Sequence, residues 1–297
     1  MKSIVTGGCG FIGSHIVDKL IENGHEVIVI DSQTSSTRTE YFFNNLATYH
    51  KKDLTHYEEV EKLFDGVNYV FHLASEISIP YCIENPRETM QNNVISTLNV
   101  LDASKKHSVN RVIFSSTSAV YGNGLWLPNY ETNGVDCLNT YSISKYSSEQ
   151  LCKMYYKLYG LQTIIFRYFN VYGERQPING SYAPVIGIFL KQKKNNQPLT
   201  LIGEGYQTRD FIHVSDVVSA NILASQKENL EFGGVFNVGT GIGTSIETVA
   251  DLISKDHLYL PERPGEVVHS RANIDKIKEQ LNWEPKIDVL KWIKKQL

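Results

Sequence analysis

Thr6-Gly7-Gly8-Cys9-Gly10-Phe11-Ile12-Gly13 follows an extended apolar run, Ser3-Ile4-Val5, and leads into Ile16, Val17, Leu20 and Ile21 at helical spacing. The glycines at 7, 10 and 13 fit a strand-to-helix turn that brings bare backbone against a pyrophosphate. Gly7 makes the turn, Gly10 lets the phosphates approach, and Gly13 lets the helix pack close to the strand. The helix N-terminus then faces the negative charge. A second strand, Val27 to Ile30, ends in Asp31, 18 residues after Gly13. A carboxylate there accepts hydrogen bonds from the adenosine ribose hydroxyls and repels a 2′-phosphate, so the pattern predicts NAD rather than NADP.

Outward from this turn the chain keeps one rhythm. Residues 32–38 are polar and loop-like. Tyr49 to Leu54 reads as a short third strand carrying Asp53, His56 to Phe64 as a helix, and Val67 to Leu73 as a strand running into Ala74-Ser75. Arg87 to Lys106 reads as one long helix with Met90, Val94, Leu98 and Leu101 on one side. The strand Arg111 to Phe114 precedes a loop over 123–139. A helix then spans Thr140 to Tyr159, and Gln162 to Phe166 is again a strand. Strands alternating with helices predict an α/β fold with a parallel sheet covered on both faces. Past Gly173 the rhythm changes to a turn-rich stretch and shorter elements. These are helices at Val185–Lys194, Asp216–Ser225 and Ile246–Ile253, strands at Leu199–Ile202, Ile212–Val214 and up to Gly239, and amphipathic stretches at Ile274–Leu281 and Val289–Leu297. The expected division is a dinucleotide-binding domain over 1–173, with later segments contributing to it, and a smaller C-terminal α/β substrate lobe over 174–297.

The 297 residues, 41% apolar and 21% charged, are those of a globular chain with a sizeable core. A net charge of −3 gives no electrostatic case for nucleic acid or an anionic membrane. No apolar run reaches membrane-spanning length. The four cysteines (Cys9, Cys82, Cys137 and Cys152) include no CxxC pair, and the histidines show no metal-ligand spacing. Together with the absence of a signal-peptide pattern this predicts a reduced, cytoplasmic protein without a metal site.

The helix beginning at Thr140 opens Tyr141-Ser142-Ile143-Ser144-Lys145. Tyr141 and Lys145, four apart, share a helix face. A tyrosine of ordinary pKa about 10 is a poor base at neutral pH, and a neighbouring ammonium stabilises its phenolate. With the Thr117 hydroxyl beside it, the pair suits proton transfer to and from an alcohol that exchanges a hydride. Arg209, in Arg-Asp-Phe-Ile-His-Val, and Arg263, in Arg-Pro-Gly-Glu, are of the residue type that clamps a diphosphate through bidentate hydrogen bonds.

At this point the chain resembles the extended short-chain dehydrogenase/reductases, specifically the nucleotide-sugar epimerases and dehydratases. The resemblance runs over essentially the whole sequence. It is carried by TGGCGFIG, Asp31, Asp53-Leu54, HLAS at 72–75, SSTSAVYG at 115–122, YSISK at 141–145, RYFNVYG at 167–173, RDFIHV at 209–214, FNVGTG at 236–241 and RPGE at 263–266. It implies a Rossmann-type doubly wound sheet and a tightly held NAD. The cofactor would be bound by Gly7, Gly10, Phe11, Ile12, Gly13, Asp31 and Ser32, with Asp53 and Leu54 at the adenine and Leu73 and Ala74 at its centre. Asn92, Tyr141, Lys145 and Phe169 complete that set. It further implies a nucleotide-sugar site built from Ser78, Thr117, Asn170, Arg209, Arg263 and Glu266, and a homodimer formed through helices around 93–106 and 141–159.

Relatives that dehydrate or decarboxylate carry acids just after the Thr117 position; here Ser118 and Ala119 follow. The resemblance therefore implies oxidation and reduction at one carbon. That is a 4-epimerisation of a UDP-sugar through a transient 4-keto intermediate, with a dehydratase or 4-ketosugar reductase as the alternative. Ser270 matches a position that limits pocket size in relatives, and its small side chain leaves room for an N-acetyl group. UDP-GlcNAc/UDP-GalNAc are thus the expected substrates, with UDP-glucose/UDP-galactose beside them. In place of a lysine found in the galactose epimerases stands Glu76-Ile77-Ser78. Replacing Tyr141 by Phe is expected to leave NAD bound and to lower turnover by about a hundredfold or more, the scale of lost acid–base catalysis; full steady-state activity in that variant would refute the role.

Overall fold

Residues 1–35, 40–124, 126–178, 183–261 and 267–297 are described in the computed structural model. The apolar runs become β1 (Lys2–Thr6), β2 (Glu26–Ile30), β3 (Thr48–His50), β4 (Tyr69–His72), β5 (Arg111–Thr117) and β6 (Gln162–Tyr168). Together with a late strand, Val235–Val238, they form one seven-stranded sheet. Its order is β3-β2-β1-β4-β5-β6 followed by that late strand, and every pairing is parallel. Chain direction across the sheet reverses between β1 and β4, and a doubly wound sheet opens a crevice at that point beyond its carboxyl ends.

Alternating side chains serve opposite faces of the sheet. Val5, Val29, Phe71, Ile113, Ile164 and Phe166 pack under α1 (Phe11–Glu22) on one side. Ile4, Ile30, Val70, Val112, Phe114 and Ile165 pack on the other, under the helices that cross between β4 and β6. Between β4 and β6 these are α5 (Ser96–Lys106), which α3 (Ile79–Glu84) and α4 (Pro86–Met90) precede, and α6 (Thr140–Tyr159); α2 (Tyr57–Val60), between β3 and β4, packs on the same side. The start and end of α6 are written in its sequence. Asn139 accepts from the Ser142 amide while the Ser142 hydroxyl answers in a capping box, and Gly160 closes the helix at φ 71°.

After β7 (Asn170–Tyr172) come α7 (Val185–Lys194), β8 (Leu199–Ile202), β9 (Thr208–His213), α8 (Val214–Gln226), β10 (Val235–Val238, the late strand), β11 (Gly243–Ser245), α9 (Ile246–Ile253), β12 (His257–Leu260), α10 (Asp275–Leu281) and α11 (Val289–Gln296). Phe189, Leu201, Phe211, Val249, Trp292 and Ile293 form a separate core there. A three-stranded sheet, β11-β9-β7, and a two-stranded pair, β12-β8, flank it. β10 and α8 do not belong to this second core. β10 pairs with β6, and Val217 and Ala220 of α8 pack with α1 beneath the main sheet. No helix among the described residues is long and apolar enough to cross a membrane.

Several element bounds differ from expectation for identifiable reasons. The third strand stops at His50, because Asp53 turns the chain by accepting from the Thr55 amide at 2.8 Å. The helix expected at 56–64 splits into α2 and a 3₁₀ turn, Glu61–Phe64. The helix expected at 87–106 is interrupted by a π turn, Gln91–Ile95, which shifts its register. Its buried face accordingly carries Thr89, Asn93, Ser96 and Thr97, whereas Met90 and Val94 are half-buried. Strand β5 runs three residues beyond Phe114, and β6 two beyond Phe166, so the serines and Tyr168 are strand residues.

Phe166 is fully buried at the centre of the sheet. Phe166→Ala is expected to lower unfolding free energy by about 3–5 kcal/mol. In urea this reads as a lower midpoint with an unchanged slope.

Candidate active site

The carboxyl ends of β1, β2, β4 and β5 open onto a cavity of about 400 Å³. At its floor Gly7 adopts φ +68°, and a Cβ there would stand 2.8 Å from the Ala74 amide nitrogen. A Cβ on Gly13 would stand 2.3 Å from the Gly7 carbonyl oxygen. Only glycine lets the turn, α1 and the end of β4 lie this close. The N-terminus of α1 has no side-chain cap and no acidic residue in its first turn. Its amides and dipole are left for an anion. Asp31 is fixed beside it, accepting from the Cys9 amide at 3.0 Å and the Gln33 amide at 2.9 Å. A bare-backbone phosphate cradle next to a pre-oriented carboxylate is the donor and acceptor set that a dinucleotide needs.

Of the residues expected against the cofactor, Gly7, Gly10, Phe11, Ile12, Gly13, Asp31, Ser32, Asp53, Leu54, Leu73, Ala74, Asn92, Tyr141 and Lys145 all line this cavity. Phe169 is not among its walls; it is buried beside Tyr121, ring centroids 6.3 Å apart.

At the catalytic end, Tyr141 and Lys145 come from the first two turns of α6. The Thr117 hydroxyl hydrogen-bonds the Tyr141 phenol and accepts from the Ala119 amide at 3.1 Å. Lys145 donates from Nζ to the Ser115 carbonyl at 2.7 Å and lies 4.9 Å from the Phe114 ring centroid. Burial pushes Tyr141 up to about 12, with the Thr117 hydrogen bond opposing it. Burial also pushes Lys145 down to about 8, against the pull of Cys152, Glu149 and Cys82. Both shifts favour the uncharged form. Tyr141, Lys145 and Thr117 thus form a cluster of groups chemically able to exchange protons, and a positive charge brought into the cavity would favour the phenolate.

The residues expected to hold the rest of a substrate lie beyond this cavity's walls. Ser78 is buried and caps α3, accepting from the Tyr81 amide at 3.4 Å. Asn170 reaches the Asp210 carbonyl from Nδ2 at 3.4 Å. Arg209 donates from Nη1 to the carbonyls of Thr208, at 3.0 Å, and Val268, at 3.2 Å. Ser270 is buried, with its amide bonded to the Thr208 carbonyl at 3.1 Å. Arg209 and Ser270 thus sit on adjoining strands of backbone. Arg263 and Glu266 lie outside the described residues.

Sequence reading missed several groups that build the site. Glu76 lines the cavity and accepts at Oε1 from the Ile77 and Ser78 amides, both at 2.9 Å. Glu88, also a wall residue, hydrogen-bonds Tyr81. Asn93 ties residue 76 to α6, accepting from the Glu76 amide at 2.8 Å and donating to Ser144 at 2.9 Å. His72 bridges Thr6, at 2.7 Å, and Thr97, at 3.0 Å, and burial pushes it down to about 3, which keeps it neutral. The only advance signal was the adjacency of Asn92-Asn93 to a helix of mixed polarity.

A model of the "NAD dependent epimerase/dehydratase family" matches residues 3–239. A putative UDP-glucose 4-epimerase of Methanocaldococcus jannaschii is 39% identical over 98% of this chain and 96% of that one. The crystal structure of UDP-glucose 4-epimerase with UDP-glucose from Thermotoga maritima superposes with a TM-score of 0.93 at 37% identity, covering 99% and 96% of the two chains. UDP-N-acetylglucosamine 4-epimerase from Methanobrevibacter ruminantium, in complex with UDP-N-acetylmuramic acid, gives 0.91 at 36% identity, covering 100% and 99%.

Two outcomes follow from the geometry. Gly13→Ala is expected to yield protein that purifies without dinucleotide, measured by absorbance and by titration with NAD. Lys145 carries its proton only below about 8, so kcat/KM is expected to fall as pH rises through that value; a flat profile to the alkaline end would show that the ammonium is not required.

Proposed function

The chain belongs to the NAD dependent epimerase/dehydratase family, and we propose that within it this protein is a UDP-sugar 4-epimerase. The observation that carries the reading is the Tyr141–Thr117–Lys145 constellation at the end of a dinucleotide cradle, with Ser118 and Ala119 where dehydration would need an acid. The other two carboxylates near that end, Glu76 and Glu88, are engaged by backbone amides and by Tyr81 respectively.

Bound in this cradle, NAD supplies the hydride acceptor and donor for one sugar carbon. Gly7, Gly10 and Gly13 admit its pyrophosphate, and Asp31 takes the adenosine ribose. Tyr141 accepts the proton of the sugar 4-hydroxyl and later returns it. Thr117 donates to the phenol oxygen, which steadies the charge that forms there. Lys145, fixed by the Ser115 carbonyl, provides the adjacent ammonium. Removal and return of hydrogen at the same carbon leaves no net redox change, so a retained cofactor suffices.

The UDP moiety is assigned mainly to the lobe after residue 173, with Arg209, Arg263 and Glu266 as its holders, joined by Asn170 just before it, and Ser78 at the sugar's edge. Ser270 is small enough to leave room for a 2-acetamido group. We therefore take UDP-GlcNAc and UDP-GalNAc as substrates, with the non-acetylated pair also accepted. The similarity to both a UDP-glucose and a UDP-N-acetylglucosamine 4-epimerase supports this range. Ile143 and Leu158 are exposed on α6 (46% and 66%), which supports pairing of two copies through α5 and α6.

The test is incubation with a panel of UDP-sugars, with epimers resolved by chromatography and mass measured. Interconversion of the UDP-GlcNAc/UDP-GalNAc pair at constant mass is expected. A product with lost water or changed redox state would overturn the epimerase reading, and turnover of non-acetylated sugars alone would overturn the acetamido assignment.

A further inference from the structure

Behind the catalytic face lies an ion pair with almost no solvent contact. Arg167 on β6 donates from Nε to Glu149 Oε1 at 2.9 Å and from Nη2 to Oε2 at 2.7 Å. Glu149 is 0% and Arg167 2% exposed. Glu149 is one turn beyond Lys145 and two beyond Tyr141, so all three side chains leave the same face of α6. Each is tied to one of three consecutive residues at the end of β5. Tyr141 meets the Thr117 hydroxyl, Lys145 the Ser115 carbonyl at 2.7 Å, and Glu149 the Ser116 hydroxyl at 2.5 Å. Ser116 is also the β5 residue in register with Arg167 on β6. Beyond the pair, the Arg167 guanidinium lies 4.7 Å from the Tyr121 ring centroid, and Tyr121 donates to Asn237 Oδ1 at 2.7 Å on β10. A continuous buried polar chain thus runs from α6 through β6 to β10. A desolvated ion pair contributes little net stability compared with apolar packing of the same volume, so stability alone does not account for it.

We propose that the Glu149–Arg167 pair is a positioning device that sets the register of α6 on β5 and β6 and thereby holds Tyr141 and Lys145 at the catalytic end of the cavity. The inference rests on the reading that Tyr141 and Lys145 handle the proton. The pair acts in two ways. Bidentate geometry fixes where α6 sits along the sheet, because the planar guanidinium donates to both carboxylate oxygens in one orientation. The Glu149 charge also favours the Lys145 ammonium, opposing burial. Around Lys145 the other groups are Cys152 on α6, Cys82 on α3, neutral His72 on β4 and the Tyr141 phenol. Around Glu149 they are Arg167, Lys153 and Cys137.

The test uses the full chain with its cofactor. In Glu149→Gln the carboxylate is replaced by a near-isosteric amide and the Arg167 charge is left unbalanced. The expected result is retained NAD, a kcat lower by about a hundredfold, the scale of an ångström of misplacement, and a KM little changed. The alkaline limb of kcat/KM should move to lower pH, since Lys145 then loses its proton more readily. A second variant, Glu149→Gln with Arg167→Met, removes both charges. It is expected to unfold close to wild type while kcat stays low. Glu149→Asp, which keeps the charge, should restore most of the pH limb. Wild-type kcat and pH profile in either folded charge-removing variant would overturn the proposal. So would failure of both to fold, since the pair would then be a folding element. Undiminished turnover in Tyr141→Phe would instead overturn the proton-transfer reading on which it rests.

Discussion

The absence of a β-carbon at two positions organises the carboxyl end of the sheet. With no Cβ at residue 13, α1 can press against the Gly7 carbonyl, and with none at residue 7, the turn can press against Ala74 at the end of β4. Close packing here places the uncapped end of α1 directly over the point where the sheet reverses direction. The walls carried by the sheet are then set by the spacing of parallel strands. Asp31 is one strand to one side, and the Ser115–Thr117 run two strands to the other. The phosphate cradle and the proton carriers are thus positioned by the same sheet.

The catalytic end is more guarded electrostatically than its residue types imply. A Tyr–Lys pair read from sequence invites the picture of an ammonium resting beside a phenolate. In the folded chain, burial drives both toward neutrality, and the lysine's proton is directed at the Ser115 carbonyl. The Thr117 hydroxyl is the neighbour that counters burial at the phenol.

What the sequence made legible was whatever depends on local spacing. The glycine turn, the acid closing β2, and the Tyr141–Lys145 interval all follow from periodicity and fixed separations, whereas the other expected cavity-lining residues, such as Ser32, Leu54 and Asn92, entered through the family resemblance. The exceptions have physical causes. The π turn at Gln91–Ile95 broke the helical period and turned a polar face inward. The short helix Ile79–Glu84 hides behind a proline at its second position. Glu149 and Arg167 look like surface charges on a helix and a strand until the fold removes their solvent. Glu76 and Asn93 become partners only through a contact 17 residues apart. Arg209 and Ser270, both expected on the substrate side, come together where the backbone at 268–270 runs beside β9, a contact that no local pattern announces.

The late arrival of β10 has a temporal consequence. Its four residues complete the main sheet by pairing with β6, yet the chain between them first builds much of the second core (β7, α7, β8 and β9) and then α8. During synthesis the sheet therefore stands with β6 as a naked edge while the intervening polypeptide emerges. Asn237, which anchors Tyr121 and so the inner polar chain, comes with that last strand. A nascent chain ending anywhere before residue 235 has the phosphate turn in hand, but β6 is still its exposed edge and Tyr121 still lacks Asn237.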